Sequence, residues 1–360
     1  MRGIARELAA SGEDVTVLAP VDARPGDSAA GVGLAPPGCD LVDLGRSIRL
    51  RANGSVAPVA LGPRASRRAV LAMRHRNFEI LHIHEPLAPG ANYACLALGR
   101  MPKIGTFHRS GNSAFYTLLR PLARGLVNRL SVRCAVSSEA RDTVAAALGG
   151  PYELIGNGVD FERFASADPW PKDGPTVMFV GRHETRKGLG ILLSAFSSLG
   201  PFPTASTSGG RAVLWIAGAG PETQHLKSQY PESRFVRWLG RIPDEEVAMR
   251  LRSCDVACFP ALGGESFGVV LLEAMSAGAA VVASDIPGYR SAASSFARFV
   301  PPNDPASLAV ALRDAFCDAL SGRGLSSPEA VTAAMAYAEA SSMAAVAARY
   351  ARLYEQVVRG

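Results

Sequence analysis

No apolar run in this chain reaches the roughly 20 residues that a helix needs to cross a bilayer. The longest candidate, Ala274 to Ser284, is too short and ends at Asp285. Nor does the start of the chain hold the apolar core of a secretory signal: Arg2, Arg6, Glu7 and Asp14 occupy that region. The expectation is a protein in solution or resting on a membrane surface. The six cysteines, Cys39, Cys95, Cys134, Cys254, Cys258 and Cys317, form no CxxC pair. Cys254 and Cys258 fall on one face of a single expected strand, a spacing that does not favour a disulfide. Reduced core thiols in a cytosolic protein are expected in place of a disulfide scaffold. Charged residues make up only 19% of the chain and hydrophobic ones 48%, which excludes a disordered polypeptide. No repeat of solenoid length is present. The net charge of +6 is modest for 360 residues, so the placement of charge matters more than its sum.

A chain of this length should hold about two domains, each with its own core. Short apolar strands alternate with helical stretches, the pattern of parallel α/β sheets. One series is expected near Val15–Leu18, Ile80–Ile83, Lys103–Phe107 and Ser131–Val136. A second is expected near Val177–Val180, Val213–Ala217, Phe235–Leu239, Val256–Phe259 and Ala280–Ser284. Between them, Ser166 to Pro175 is rich in Pro, Gly and charge and reads as a linker. The expected layout is an N-terminal domain over 1–168 and a second domain over 174–335. A C-terminal helix, 336–360, would pack back on the first. Two such units would leave a cleft lined by strand C-terminal ends. Low-complexity stretches at Asp22–Gly38 and Pro201–Gly210 read as exposed connections. One further thing is lacking. The chain opens on the helix Gly3–Gly12, whereas a doubly wound domain opens on a central strand and a Gly-rich turn. A truncated or misplaced start is the expectation.

The most informative stretch is Gly263-Gly264-Glu265-Ser266-Phe267-Gly268 followed by the apolar run to Ala277. It reads as a strand-to-helix loop whose helix starts near Phe267. Free amides and the positive end of the helix dipole then make a phosphate site. Glu265 would lie just outside this helix and Glu273 about one and a half turns inside it. One carboxylate can grip sugar hydroxyls on one side of a diphosphate, and the other can reach a ribose on the other side. A carboxylate within an apolar helix needs a partner, which sets Glu273 apart from solvated surface glutamates. Arg182 and Lys187, in the loop after the Val177–Val180 strand, stand where they would clamp the diphosphate. Fixed cations there stabilise the charge that grows on a departing nucleoside diphosphate. Sugar, diphosphate and nucleoside in a row describe a nucleotide-sugar.

His108 follows the Lys103–Phe107 strand and could orient an acceptor hydroxyl or stabilise the reacting sugar; a structural histidine is the alternative. His82 and His84 alternate along a strand. Hydrogen-bonded structural histidines are expected there, with metal ligation as the alternative. The segment Arg64 to Arg76 has five arginines and no acid. As a helix it gathers Arg64, Arg67, Arg68, Arg74 and His75 on one face around Leu71, with Val70 and Met73 opposite. That suits an anionic lipid surface. Nucleic acid is not expected, because stacking aromatics are lacking. A solvated basic face is the alternative reading.

Together these residues resemble glycosyltransferase family 4, the retaining enzymes of GT-B type with two Rossmann-like domains facing across a cleft. The resemblance covers nearly the whole chain. It rests on Arg182 with Lys187, on Glu265-Ser266-Phe267-Gly268 with Glu273, and on Ile155-Gly156-Asn157-Gly158-Val159-Asp160. Within the family it is strongest to actinobacterial enzymes that move mannose from GDP-mannose to phosphatidyl-myo-inositol. Asn53-Gly54-Ser55-Val56, Leu81 to Pro86, Thr106-Phe107-His108 and Leu262 to Gly268 carry that part. The resemblance implies that Glu265 binds mannose beside Phe267 and Gly268, Glu273 the ribose, and Arg182 and Lys187 the diphosphate. Asp244 would read guanine, and His108 would serve with Glu265 at the reaction centre. Asn53 would lie on the acceptor side, and the Arg64–Arg76 helix would dock on the membrane. The implied partners are a nucleotide-sugar, a phosphoinositide and the inner face of the cell membrane. No acid-rich metal motif stands beside the donor residues, so no metal cofactor is expected to be obligatory; Mg2+ is allowed for and not required. The chain departs from the family in its opening and in having no lysine at 109–113. In the family the opening strand and its Gly-Gly turn help hold donor phosphate and inositol phosphate, so both departures bear on acceptor binding more than on donor binding. A glycosyltransferase using a UDP- or GDP-sugar and a soluble acceptor, and a truncated inactive homologue that only binds nucleotide or membrane, are the rival readings.

Overall fold

A computed structural model describes residues 1–21, 35–52, 55–109, 120–200 and 211–359. The chain divides into two compact units, one of residues 1–158 with 343–360 and one of residues 159–342.

The second unit is built on six parallel strands: β9 (Thr176–Val180), β10 (Val213–Ala217), β11 (Val236–Gly240), β12 (Val256–Phe259), β13 (Ala280–Ser284) and β14 (Ala297–Val300). They lie in the order β11-β10-β9-β12-β13-β14. Both faces of this sheet are buried, which explains why the strands read as unbroken apolar runs. Along β12, Ala257 and Phe259 enter one core while Val256 and Cys258 enter the other. Met178 and Val177 divide the same way on β9. Each fully buried aliphatic or aromatic side chain contributes about 1.5–3 kcal/mol. The segment expected to be a linker is held down in this unit. The Trp170 amide donates to the Met249 carbonyl, and the Trp170 ring covers the Arg250 guanidinium at 4.2 Å.

The first unit holds β1 (Thr16–Ala19) paired in parallel with β2 (Asp40–Asp43), and an antiparallel hairpin of β3 (Ile48–Ala52) and β4 (Ser55–Val59). A separate four-stranded parallel sheet contains β5 (Leu81–His84), β6 (Lys103–Phe107), β7 (Val132–Ala135) and β8 (Glu153–Leu154). The helix Met343–Arg359 belongs to this unit. Its Val346 and Tyr350 share a core with Ile104, Cys134 and Ile155. Cys95, Cys134, Cys254 and Cys258 are buried free thiols, while Cys317 is exposed. Among the described residues, no helix is long and apolar enough to cross a membrane.

Candidate functional site

In the second unit the strand order runs outward in both directions from the β9–β12 pair. That is the topological switch point, where open α/β sheets bind ligands at the strand C-terminal ends. Two loops leave the sheet there, residues 181–188 after β9 and 260–268 after β12. The Leu262 amide donates to the Arg186 carbonyl at 2.8 Å, locking them together. Gly188 has φ +69°, and a Cβ on it would stand 1.8 Å from the Pro260 carbonyl oxygen. Only glycine permits this approach.

Glu265 sits at the meeting of these loops, its side chain 13% exposed. Its Oε1 meets Nζ of Lys187 at 2.8 Å and also the guanidinium of Arg186. Arg186 reaches Glu184 at 3.1 Å, and Arg182 reaches the other oxygen of Glu184 at 2.8 Å. The expected residues Arg182, Lys187 and Glu265 are therefore brought to one place. Arg186 and Glu184 complete the network, and sequence reasoning passed over their roles. His183, fully buried in the same loop, ties it to the next one through its Nδ1 and Oγ1 of Thr223, 2.8 Å apart.

The helix after this loop begins at Val269, two residues later than expected, and runs to Ser276. The reason is Gly268, whose φ of +101° turns the chain into the helix. A Cβ on Gly268 would lie 2.5 Å from the Tyr289 ring. Phe267 is buried beneath the turn. Helix geometry leaves the Val269 and Val270 amides without a partner inside the helix, while the Leu271 amide donates to the Gly268 carbonyl at 3.0 Å. Glu273 accordingly lies about one turn inside the helix, not one and a half. It is half-buried. Burial pushes its carboxyl up to about 7, with Arg163 opposing the shift and Asp244 adding to it. Asp244 is the first residue of the helix Asp244–Ser253, and its side chain is 80% exposed. Arg163, which the sequence did not single out, lies 3.6 Å from Asp244 and 3.0 Å from Asp160. Arg163, Asp244 and Glu273 thus form one charged group beside the helix.

In the first unit His108 follows β6, with its Nε2 2.9 Å from Nδ1 of His84. His82 uses both ring nitrogens, one with Tyr354 and one with Thr106, each at 2.7 Å. It is a structural histidine. The arginine-rich helix runs from Pro63 to His75 and buries Ala65, Ala69 and Met73. Arg64, Arg67, Arg68, Arg74 and His75 are exposed as expected, with Leu71 among them. Arg68 is paired with Asp43 at 3.0 Å. Asn53 lies outside the described residues.

Known proteins share this arrangement of sequence and fold. The family description "Glycosyltransferase Family 4" matches residues 1–163, and "Glycosyl transferases group 1" matches residues 160–323. A phosphatidyl-myo-inositol mannosyltransferase of Mycolicibacterium smegmatis is 37% identical over 86% of this chain and 78% of its own length. One of Mycobacterium tuberculosis is also 37% identical, over 88% of this chain and 84% of its own. Among solved structures, sucrose-phosphate synthase from Thermosynechococcus elongatus superposes with a TM-score of 0.72 at 20% identity. That match covers 98% of this chain and 91% of the other. HepE of Anabaena, solved with UDP and glucose, gives a TM-score of 0.69 at 16% identity, over 98% of this chain and 95% of its own. These structures fix the fold class as two Rossmann-like units of GT-B type. The chain belongs to glycosyltransferase family 4, and it is a glycosyltransferase.

Proposed function

We propose that this enzyme moves mannose from GDP-mannose to a phosphatidylinositol acceptor, with retention, at the cytoplasmic face of the membrane. The relatives above are named phosphatidyl-myo-inositol mannosyltransferases, which supports mannose as the sugar and a phosphatidylinositol as the acceptor. The single observation that carries the donor side is Glu265, held by Arg186 and Lys187 at the switch point, beside the start of the helix bearing Glu273. An arriving diphosphate competes for the same cations and meets the helix amides. Glu265 is then released toward the sugar hydroxyls. Negative charge grows on the diphosphate as the glycosidic bond breaks, and Arg182 and Lys187 stabilise it there; losing one such group costs about a hundredfold or more. Glu273 accepts hydrogen bonds from the ribose. Asp244 accepts from N1–H and the exocyclic amine of guanine, a donor pair that uracil lacks. His108 works at the reaction centre, and transfer follows front-face delivery of the acceptor hydroxyl, enforced by positioning. The arginine helix rests on anionic lipid.

The test is transfer of radiolabel from GDP-mannose to vesicles containing phosphatidylinositol. A mannosylated lipid is expected, and its absence with a folded, GDP-binding protein sinks the acceptor assignment. On the donor side, GDP should raise the melting temperature more than UDP does. Asp244→Ala should bring the GDP shift down to the UDP value; an unchanged difference would remove Asp244 from the base site.

A further inference from the structure

Parallel pairing of β5 and β6 sets His84 level with Thr106. His108 emerges from β6 two residues further on, so its ring falls beside that of His84, with ring centres 5.2 Å apart. The two nitrogens that face each other, Nδ1 of His84 and Nε2 of His108, are 2.9 Å apart. Neither ring is free to drift. The His108 amide donates to Oε1 of Glu85 at 2.7 Å. Asn92 donates to the carbonyls of both His84 and Glu85, which fixes the turn after β5. Behind His84 lies the ring of His82, stacked at 4.3 Å and itself held by Tyr354 and Thr106. Among the described residues, Nδ1 of His108 has no hydrogen-bond partner.

A neutral imidazole carries one proton on two nitrogens, so it is a donor at one and an acceptor at the other. Burial pushes His84 well below the ordinary histidine range and His108 down to about 4, so both rings are neutral near pH 7. Two neutral rings sharing one hydrogen bond must then expose opposite characters at their outer nitrogens. If His84 accepts, His108 holds its proton on Nε2 and offers Nδ1 as an acceptor. If His84 donates, Nδ1 of His108 bears the proton and donates. Whatever hydrogen bond His108 makes to substrate is therefore set by the state of His84.

We propose that His84 is a positioning residue that occupies Nε2 of His108 and sets its tautomer, leaving Nδ1 as the atom that meets substrate. This rests on the reading of His108 at the reaction centre. No other described side chain bonds the His108 ring, so its tautomer has no second guardian.

Two readouts on the full chain test this. Long-range proton–nitrogen spectra of 15N-histidine-labelled protein should show His108 with two well-separated ring nitrogens, the mark of a single tautomer. His84→Phe should merge them toward an average. His84→Asn, whose amide stands near the position of Nδ1, should keep them apart. In mannosyl transfer from GDP-mannose to phosphatidylinositol vesicles, His84→Phe should lower kcat about tenfold to a hundredfold, leave donor KM within about twofold, and His84→Asn should recover most of the loss. Unchanged His108 signals in His84→Phe, or an unchanged kcat, overturn the proposal. Should His108→Ala transfer as well as the parent, the reaction-centre reading falls instead, while the spectra still judge the hold of His84 on His108.

Discussion

Glu273 is an acid that the fold holds closer to neutrality than water would. Its raised value of about 7 comes chiefly from burial, so the charged form costs the folded state. The sign follows from proton counting. Between the ordinary glutamate value and about 7 the folded state binds more protons than the unfolded one, so stability declines as pH rises through that window. In the ribose contact proposed for Glu273 the preference runs the other way, because the ionised carboxylate is the better acceptor. Donor KM should therefore fall as pH rises through about 7, and Glu273→Gln should flatten that dependence. The same variant should melt above the parent at pH 8.5, by about 2–4 °C for each kcal/mol that the charged form costs a unit of this size, and level with it at pH 4. Steady-state kinetics and calorimetry across that range check both, and a parent profile that is already flat would remove Glu273 from the ribose site. Sequence alone marked Glu273 for its apolar neighbours. It did not show Arg163, whose place beside Asp244 depends on how the short helix Phe161–Ala165 packs in the fold.

At the scale of elements, the site is a pair of loops brought into contact by two strands that sequence separates widely. Gly188 is the point of contact. Alanine there meets a backbone conformation that costs about 1–2 kcal/mol and a carbonyl oxygen only 1.8 Å from its Cβ. The carbonyl belongs to Pro260 and cannot rotate away without moving the β12 loop. Gly188→Ala should therefore lower the melting temperature and abolish the stabilisation by GDP. Gly322→Ala is the control, since φ there is +61° and nothing lies within 4 Å. It should cost only the backbone penalty and keep the GDP response. Strands such as Val213–Ala217, Val256–Phe259 and Ala280–Ser284 were legible in full because both their faces are buried. β14 was not: Arg298 interrupts it and is paired with Asp318 at 2.7 Å across the edge of the sheet. β8, two residues long, carries no pattern to read. The start of the Val269 helix was misplaced because a glycine in the left-handed region looks, in sequence, like any other loop glycine. His84 against His108 was hidden for a related reason: both residues could be seen, but parallel register joins them only in the fold.

For the molecule as a whole, the question is how a chain whose described helices are too short or too polar to cross a bilayer would reach a lipid acceptor. A net charge of +6 spread evenly over 360 residues would attract anionic lipid weakly. Concentrated charge acts differently. The helix Pro63–His75 exposes Arg64, Arg67 and Arg74, and no described ion pair neutralises these three. Arg68 shares its charge with Asp43, so its pull on lipid is partly spent within the protein. Each free basic side chain near such a surface contributes about 1 kcal/mol, so replacing the three by glutamine should weaken vesicle binding roughly a hundredfold. The side chains are exposed and touch no core, so the fold and the GDP response should persist. Raising salt from 0.1 M to 1 M shortens the screening length from about 10 Å to about 3 Å and should release the parent from vesicles while changing the triple variant little. Co-sedimentation with phosphatidylinositol-containing vesicles at both salt concentrations reads the effect. If the triple variant binds as the parent does, the helix is only a solvated basic face, and the acceptor must be reached through another surface.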